Sequence, residues 1–526
     1  MPVKILIKRS EYHDSVTLML VARDLSHFPG VTDAAVVMGT EANKGLLKNA
    51  GLLAPEAEAA TPNDLVIAVS GPENVLEAAF AEAEKLLQKK QAAEAAGEFR
   101  PKTIHSAVRS NPAANVAVIS VAGRYASAEA WDALHHGLHV LLFSDNVSLE
   151  DEIALKRYAV EHGLLLMGPG AGTAIINGVA LGFANALPRG PVGIVSAAGT
   201  GLQEVSTLLA KHGVGITQGI GTGGRDLKEE VGGLMMLAGL KALQDDPDTG
   251  VILLVSKPPA ESVARKVLDQ AVLPTVQNPC YDKPTVVCFL GGDASLDPAL
   301  KAYPNLRISR TLEEAALLAV QVATGVGRPL TASADDKAVS SLAASLKPGQ
   351  RYLRGLFSGG TLCYEAQVIW RDMLPEPVFS NAPLDKVNRL PDSLRSLGHT
   401  AVDLGEEEFT VGRPHPMIDN DLRIRRLLQE ANDPETAVIM LDVVLGYGAH
   451  PDPVAELCPA IRQAQQAARQ AGRALPVVAS VTGTQADPQG FTRQVTMLEQ
   501  TGVVVCESNA AAARLTAAIV HQAGRS

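Results

Sequence analysis

From Asn115 onward the chain is dominated by near-continuous apolar runs with helix-like stretches between them. These runs are NVAVISVAG, HVLLFSD, LLLMGPG, PVGIVSAAG, VILLVSKPP, PTVVCFLGG, YLRGLFSGG, AVIMLDVVLG, LPVVASVTGT and VVVCES. Strands this apolar on both faces are buried on both, which predicts parallel sheets built from βαβ units. Before Asn115 the texture differs. VKILIK (3–8) and AAVVM (34–38) read as strands around the amphipathic DSVTLMLVARDLSHF, and DLVIAVSG reads as a third strand before a long helix reaching about Gln91. This predicts a small α+β module, with the Ala/Glu/Lys-rich LLQKKQAAEAAGEF as a linker leaving it. GVGRPLTASADDKAVSS, after a helix near 312–324, reads as a second linker.

One corner occurs twice. GIVSAAGTGLQEV (193–205) and GLFSGGTLCYEA (355–366) each pass from an apolar strand through Ser and small residues into a helix that carries a Glu. A helix start presents unpaired N–H groups and the positive end of its dipole, small residues let an anion approach, and hydroxyls add donors. Ser196, Gly199, Thr200 and Gly201 form one candidate nest, and Ser358, Gly359, Gly360 and Thr361 form the other. For either corner alone, the alternative that its glycines only permit tight strand–helix packing stays open. Their repetition favours anion binding and an internal duplication.

Composition narrows the classes. At roughly 150 residues per domain, 526 residues predict three or four domains. A net charge of −11 without a dense Lys/Arg run disfavours a nucleic-acid footprint, so an anionic substrate must be held by local dipoles and single basic residues. No long apolar span or signal-like start occurs, so a cytoplasmic protein off the membrane is expected. Cys280, Cys288, Cys363, Cys458 and Cys506 lack metal-ligand spacing, and no metal site is expected. His135 and His136 in WDALHHGLH read as helix-end residues rather than ligands.

The doubled corner resembles the succinyl-CoA synthetase superfamily of NDP-forming acyl-CoA ligases, in which two such corners grip a phosphohistidine from both sides. MGTEANKGLL, ATPNDLVIAV, FSDNVSLEDEI, SKPPAE, GGRDL and TVGRPHPMID resemble the FdrA family, which fuses both halves in one chain. The resemblance covers nearly the whole sequence. It implies an α/β fold: a small N-terminal α+β module (1–105), a CoA-binding, Rossmann-like domain (106–188), and two flavodoxin-like domains, α-type (189–330) and β-type (348–526).

Set against the ligase pattern, three parts are missing. Where that superfamily carries its phosphohistidine, this chain reads LGGDASLDPALKAYPNL, and no histidine occurs between His212 and His399. The CoA-binding segment lacks the glycine-rich turn for CoA phosphates, and no ATP-grasp domain is present. The FdrA resemblance implies instead a carbamoyltransferase subunit of anaerobic allantoin and purine degradation, equilibrating oxalurate plus phosphate with oxamate plus carbamoyl phosphate. Phosphate or carbamoyl phosphate is then substrate, CoA is not expected, and no cofactor is required. The expected partners are a small anionic substrate and either other subunits or a second copy.

Further candidates accompany the two corners. Arg225 in GIGTGGRDL suits a carboxylate or phosphate, or pairs with Asp226. Lys257 in VSKPPAE lies past a buried strand, at the end where open α/β sheets bind ligands. Arg413 and His415 sit in the proline-braced TVGRPHPMID, where a neutral His donates to a carbonyl or shuttles a proton, or only packs the loop. Gly168 and Gly170 of MGPGAGT and Thr482 of VTGTQADP are candidate pocket residues or turn chemistry. Beside the carbamoyltransferase, two readings stay open: an acyl-CoA synthetase, and a non-catalytic scaffold or anion sensor.

Overall fold

The structure, a computed structural model, describes residues 2–11, 13, 15–95, 101–272, 283–291, 303, 305–327, 329–330, 336–410 and 413–524. The phosphohistidine-equivalent stretch after Thr285–Phe289 lies largely outside these residues.

The apolar runs form parallel sheets. In the first large sheet the order is Leu306–Ser309, Thr285–Phe289, Val251–Ser256, Arg189–Ser196, Ile216–Gly221, with an edge hairpin Thr173–Ile176 and Val179–Gly182. In the second it is Val504–Cys506, Val477–Thr482, Thr436–Val444, Tyr352–Phe357, His399–Asp403, Val378–Ser380. Apart from the hairpin of the first and the edge strand Val378–Ser380 of the second, both follow one flavodoxin-like order, with the first strand between the second and the third. Registers correspond too. Leu253 lies between Ile194 and Val286, as Leu441 lies between Leu356 and Ala479. The doubled corner is thus part of a doubled sheet.

Four helices fill the space between the two sheets: Gly199–Lys211 and Leu312–Thr324 from one half, Gly360–Met373 and Asn509–Ala523 from the other. They bury Val205, Leu209, Val320, Leu362, Trp370 and Ala513 in one core with strand residues of both halves. The halves are therefore fused through a common hydrophobic layer rather than joined only by a tether.

Val116–Ile119, His139–Leu142 and Leu166–Met167 make a three-stranded parallel sheet, the Rossmann-like part. Val3–Lys8, Leu65–Ser70 and Asp33–Met38 make an antiparallel one in the N-terminal module.

Both linker expectations need correction. LLQKKQAAEA belongs to the helix Glu73–Ala95. Its Ala, Leu, Lys, Gln and Glu are strong helix formers, so its composition suits a solvated helix as well as a tether. DKAVSS lies within the helix Asp336–Ser345, whose Val339 and Ala343, one turn apart, enter the common core. Among the described residues no helix is long and apolar enough to cross a membrane.

Candidate functional site

Each corner opens a helix at the carboxyl end of the first strand of its half, and the two helix starts meet. A Cβ on Gly201 would lie 3.0 Å from Thr361 Cγ2, and one on Gly359 would lie 3.0 Å from Thr200 Cγ2. The Thr361 N–H donates to Thr200 Oγ1 at 3.2 Å. Two helix dipoles thus converge across a local pseudo-two-fold axis.

Not every expected donor faces that junction. Ser196 Oγ donates to the Ala198 carbonyl (2.8 Å) and accepts the Ala198 N–H (3.1 Å), closing its own turn. The Ser358–Gly359 nest already holds an anion from the chain. Asp442 accepts the Ser358 and Gly359 N–H groups, both at 2.8 Å, and the Ser358 hydroxyl at 3.1 Å. This carboxylate comes from the central strand next to Tyr352–Phe357, and Arg423 lies 3.3 Å from its Oδ1. Ser196, Ser358 and Gly359 are corrected accordingly: their groups are already satisfied internally. Among the described residues, the N–H groups of Gly199, Thr200, Gly201 and Gly360 keep no partner.

The floor of the junction is charged. Asp403, at the end of His399–Asp403, is 2% exposed and places Oδ2 2.4 Å from where a Cβ on Gly360 would be. Its Oδ1 accepts the Gly405 N–H at 2.9 Å, and its Oδ2 has no hydrogen-bond partner among the described residues. Burial pushes this carboxyl up to about 7 against the pull of Lys257. Lys257 reaches over from the other half, its ammonium 5.7 Å from the Tyr364 ring centroid, and makes no hydrogen bond or ion pair among the described residues.

His415 lies on the other side of Gly405. A Cβ there would be 2.8 Å from His415 Nε2 and 3.2 Å from Asp403 Oδ1, so only glycine lets imidazole and carboxylate share the corner. His415 Nδ1 accepts the Met417 N–H at 3.2 Å, which assigns the ring proton to Nε2. Burial, helped by the Arg423 charge, pushes its pKa down to about 4 and keeps it neutral. Phe183 flanks the ring, with centroids 5.8 Å apart.

The remaining candidates lie elsewhere. Arg225 turns away from the rim and pairs with Glu152 at 2.8 Å, also donating to the Val147 carbonyl. It does not pair with Asp226, whose carboxylate is taken by Lys156 and the N–H groups of Met235 and Met236. Arg413 pairs with Asp33 of the N-terminal module at 2.8 Å. The buried Thr482 hydroxyl donates to Glu204. Gly168, at φ +124°, packs against the Leu142 carbonyl, whereas Gly170 borders open space.

The corner glutamates have a structural task. Glu204 accepts the N–H of Asn509 at 2.9 Å, and Glu365 accepts that of Leu312 at 2.6 Å. Each carboxyl group thereby caps the last helix of the opposite half. Asp403, Asp442 and Arg423 were missed in the sequence. The available signal was a lone carboxylate inside an apolar strand, as in AVIMLDVVLG and HTAVDLG. Burial pushes the Cys288 and Cys363 thiols well up, which leaves them inert.

Residues 356–519 match the family described as CoA-ligase, and residues 1–102 match that described as AllF, heavy metal-associated domain. The chain is 46% identical over 512 residues to the uncharacterized protein YahF of Escherichia coli (strain K12), covering 97% of each chain. It is 27% identical over 146 residues to the ADP-forming succinate–CoA ligase subunit alpha of Methanothermobacter thermautotrophicus, covering 27% of this chain and 48% of that one. A solved dinucleotide-forming acetyl-coenzyme A synthetase 1 of Ca. Korarchaeum cryptofilum is 16% identical, with TM-score 0.33, over 78% of this chain and 83% of that one.

Two groups suggested by these likenesses can be tested against the residues. A soft heavy metal wants thiolates, but the first cysteine of the chain is Cys280. Among the described residues no group of three or more His, Cys, Asp or Glu is placed to hold a metal. For CoA, the relevant helix starts at Gly123. A Cβ there would meet the carbonyl oxygens of Asp145 at 2.3 Å and Asn146 at 2.6 Å, so the backbone packs closely at this start.

Proposed function

The chain belongs to the family of the Escherichia coli protein YahF, within the succinyl-CoA synthetase-like superfamily, and on that premise we propose that it catalyses phosphate-dependent carbamoyl transfer. The reaction is oxalurate plus phosphate to oxamate plus carbamoyl phosphate, run in the cytoplasm with partner subunits or a second copy. The observation that carries it is the junction of two helix starts joined by the Thr361–Thr200 hydrogen bond.

Phosphate sits against the N–H groups of Gly199, Thr200, Gly201 and Gly360, where the dipoles add without rearranging. Lys257 neutralises the substrate carboxylate, and the His415 Nε2–H polarises the carbamoyl carbonyl. Orientation of two bound anions supplies the rest. An acyl-CoA ligase reading is disfavoured by the lack of any histidine to carry phosphate between His212 and His399.

The test is turnover of oxalurate by the purified protein with its partners, with phosphate present and nucleotide absent. Carbamoyl phosphate is the expected product. No turnover with every partner present overturns the reading. Thermal melting with phosphate, carbamoyl phosphate, CoA and ATP in parallel separates the classes, since a ligand at a hundredfold its Kd adds about 2.7 kcal/mol.

A further inference from the structure

Carbamoyl transfer to phosphate requires one proton to move. As a phosphate oxygen bonds to the carbamoyl carbon, the carbon–nitrogen bond breaks. The proton of hydrogen phosphate must then reach the departing oxamate nitrogen. Atoms and charge balance with that single transfer, and no nucleotide or redox partner enters.

His415 is unsuited to carry this proton. Its Nδ1 lone pair is held by the Met417 N–H, and its Nε2 already bears hydrogen. Protonation lies far below neutrality, at about 4. Asp442 is fully engaged with the Ser358–Gly359 nest and Arg423. Asp403 differs from both. It is 2% exposed, and its Oδ2 is unpartnered among the described residues and lies against Gly360, at the helix start assigned to phosphate.

We propose that Asp403 is the proton relay of the site, giving its own proton to the departing oxamate nitrogen and regaining one from the bound hydrogen phosphate. This rests on the carbamoyl-transfer reading above. The groups around the relay are set by the fold. Lys257 faces it from the first half, Asp442 from the central strand, Glu406 from the following turn, and Cys363 from the helix. His415 and Arg423 lie beyond Gly405, and Glu408 binds Asn381, which in turn bonds the Asp403 carbonyl and N–H. With its carboxyl at about 7, both protonation states are populated near neutrality, as a relay requires. A bound dianion beside Asp403 favours the protonated form.

Inorganic sulfate is the probe, because it stays dianionic near neutrality. Calorimetry at about pH 6 to about pH 8.5, in two buffers of different ionisation enthalpy, reads affinity and proton uptake together. For the wild type the expected result is proton uptake on binding, with sulfate weakening about tenfold per pH unit above about pH 7. Asp403→Asn should bind sulfate with neither effect. Its phosphate-dependent turnover should fall about 10²- to 10⁴-fold. Wild-type binding without proton uptake, or the same pH dependence in Asp403→Asn, overturns the relay and leaves the phosphate site standing. Failure of the wild type to bind sulfate or phosphate at any pH overturns the carbamoyl-transfer reading and the relay with it. The wild-type measurement decides even if the variant does not fold.

Discussion

Glu365 offers a sharp test of how the two halves are held together. Its side chain is buried at the junction of both, accepting the Leu312 N–H and the Asn509 Nδ2–H at 2.6 and 2.8 Å. Burial, with Glu204 and Glu313 nearby, pushes its carboxyl up to about 8 from the ordinary 4.5. A carboxyl whose pKa is raised on folding stabilises the folded state fully below its unfolded value. That stabilisation is lost as pH climbs towards the folded value. At 1.36 kcal/mol per pKa unit, going from about pH 6 to about pH 8 removes about 2 kcal/mol through Glu365 alone. Glu365→Gln keeps the shape and the acceptor for Leu312 N–H but cannot ionise. Urea unfolding at both pH values, with m of about 3 kcal/mol/M, should show the wild-type midpoint falling about 0.7 M further than that of the variant. Equal pH dependence in the two proteins would show that Glu365 ionises freely, refuting its assigned burial between the halves.

Other outcomes follow from single contacts. Gly405→Ala drives a methyl into His415 Nε2 and the Ser358 carbonyl; calorimetry should show sulfate or phosphate binding at least about tenfold weaker, with about 1–3 kcal/mol lost. Trp370→Ala empties the common core, with an expected loss of about 3–5 kcal/mol by denaturant titration. Since the chain has two tryptophans, a Trp131→Phe background makes Trp370 fluorescence report that core alone, and it should be blue-shifted until both halves unfold. A double-mutant cycle with Asp33→Asn and Arg413→Gln should return about 0.5–1 kcal/mol, as befits a partly exposed pair, and zero coupling would detach the N-terminal module from the His415 loop.

What could be read in advance depended on how local its cause is. VILLVSKPP and AVIMLDVVLG announced parallel strands because strands covered on both faces must be apolar on both faces. The repeated corner announced paired helix starts because two like strand–helix turns in one chain imply two like halves. Short strands such as His399–Asp403 carry too few residues to set a pattern, and so Asp403 passed unnoticed. Arg225, beside a glycine turn, and Arg413, in a proline-braced loop, become site candidates by neighbourhood in sequence. Their partners, Glu152 and Asp33, are chosen by tertiary packing, and a long side chain can be aimed at either target. Asp442 filling the second nest illustrates the same limit, because a carboxylate in the chain satisfies those donors as well as a phosphate does.

The crossed caps of Glu204 and Glu365 bear on how such a chain can change. Each half borrows a carboxyl group to finish its final helix, so a lone copy of either would carry an open helix end and an uncovered apolar face. Fusion in one polypeptide delivers donor and recipient in equal number, at the same place and moment. Neither copy is free to drift as a duplicate usually is, because its neighbour would come undone.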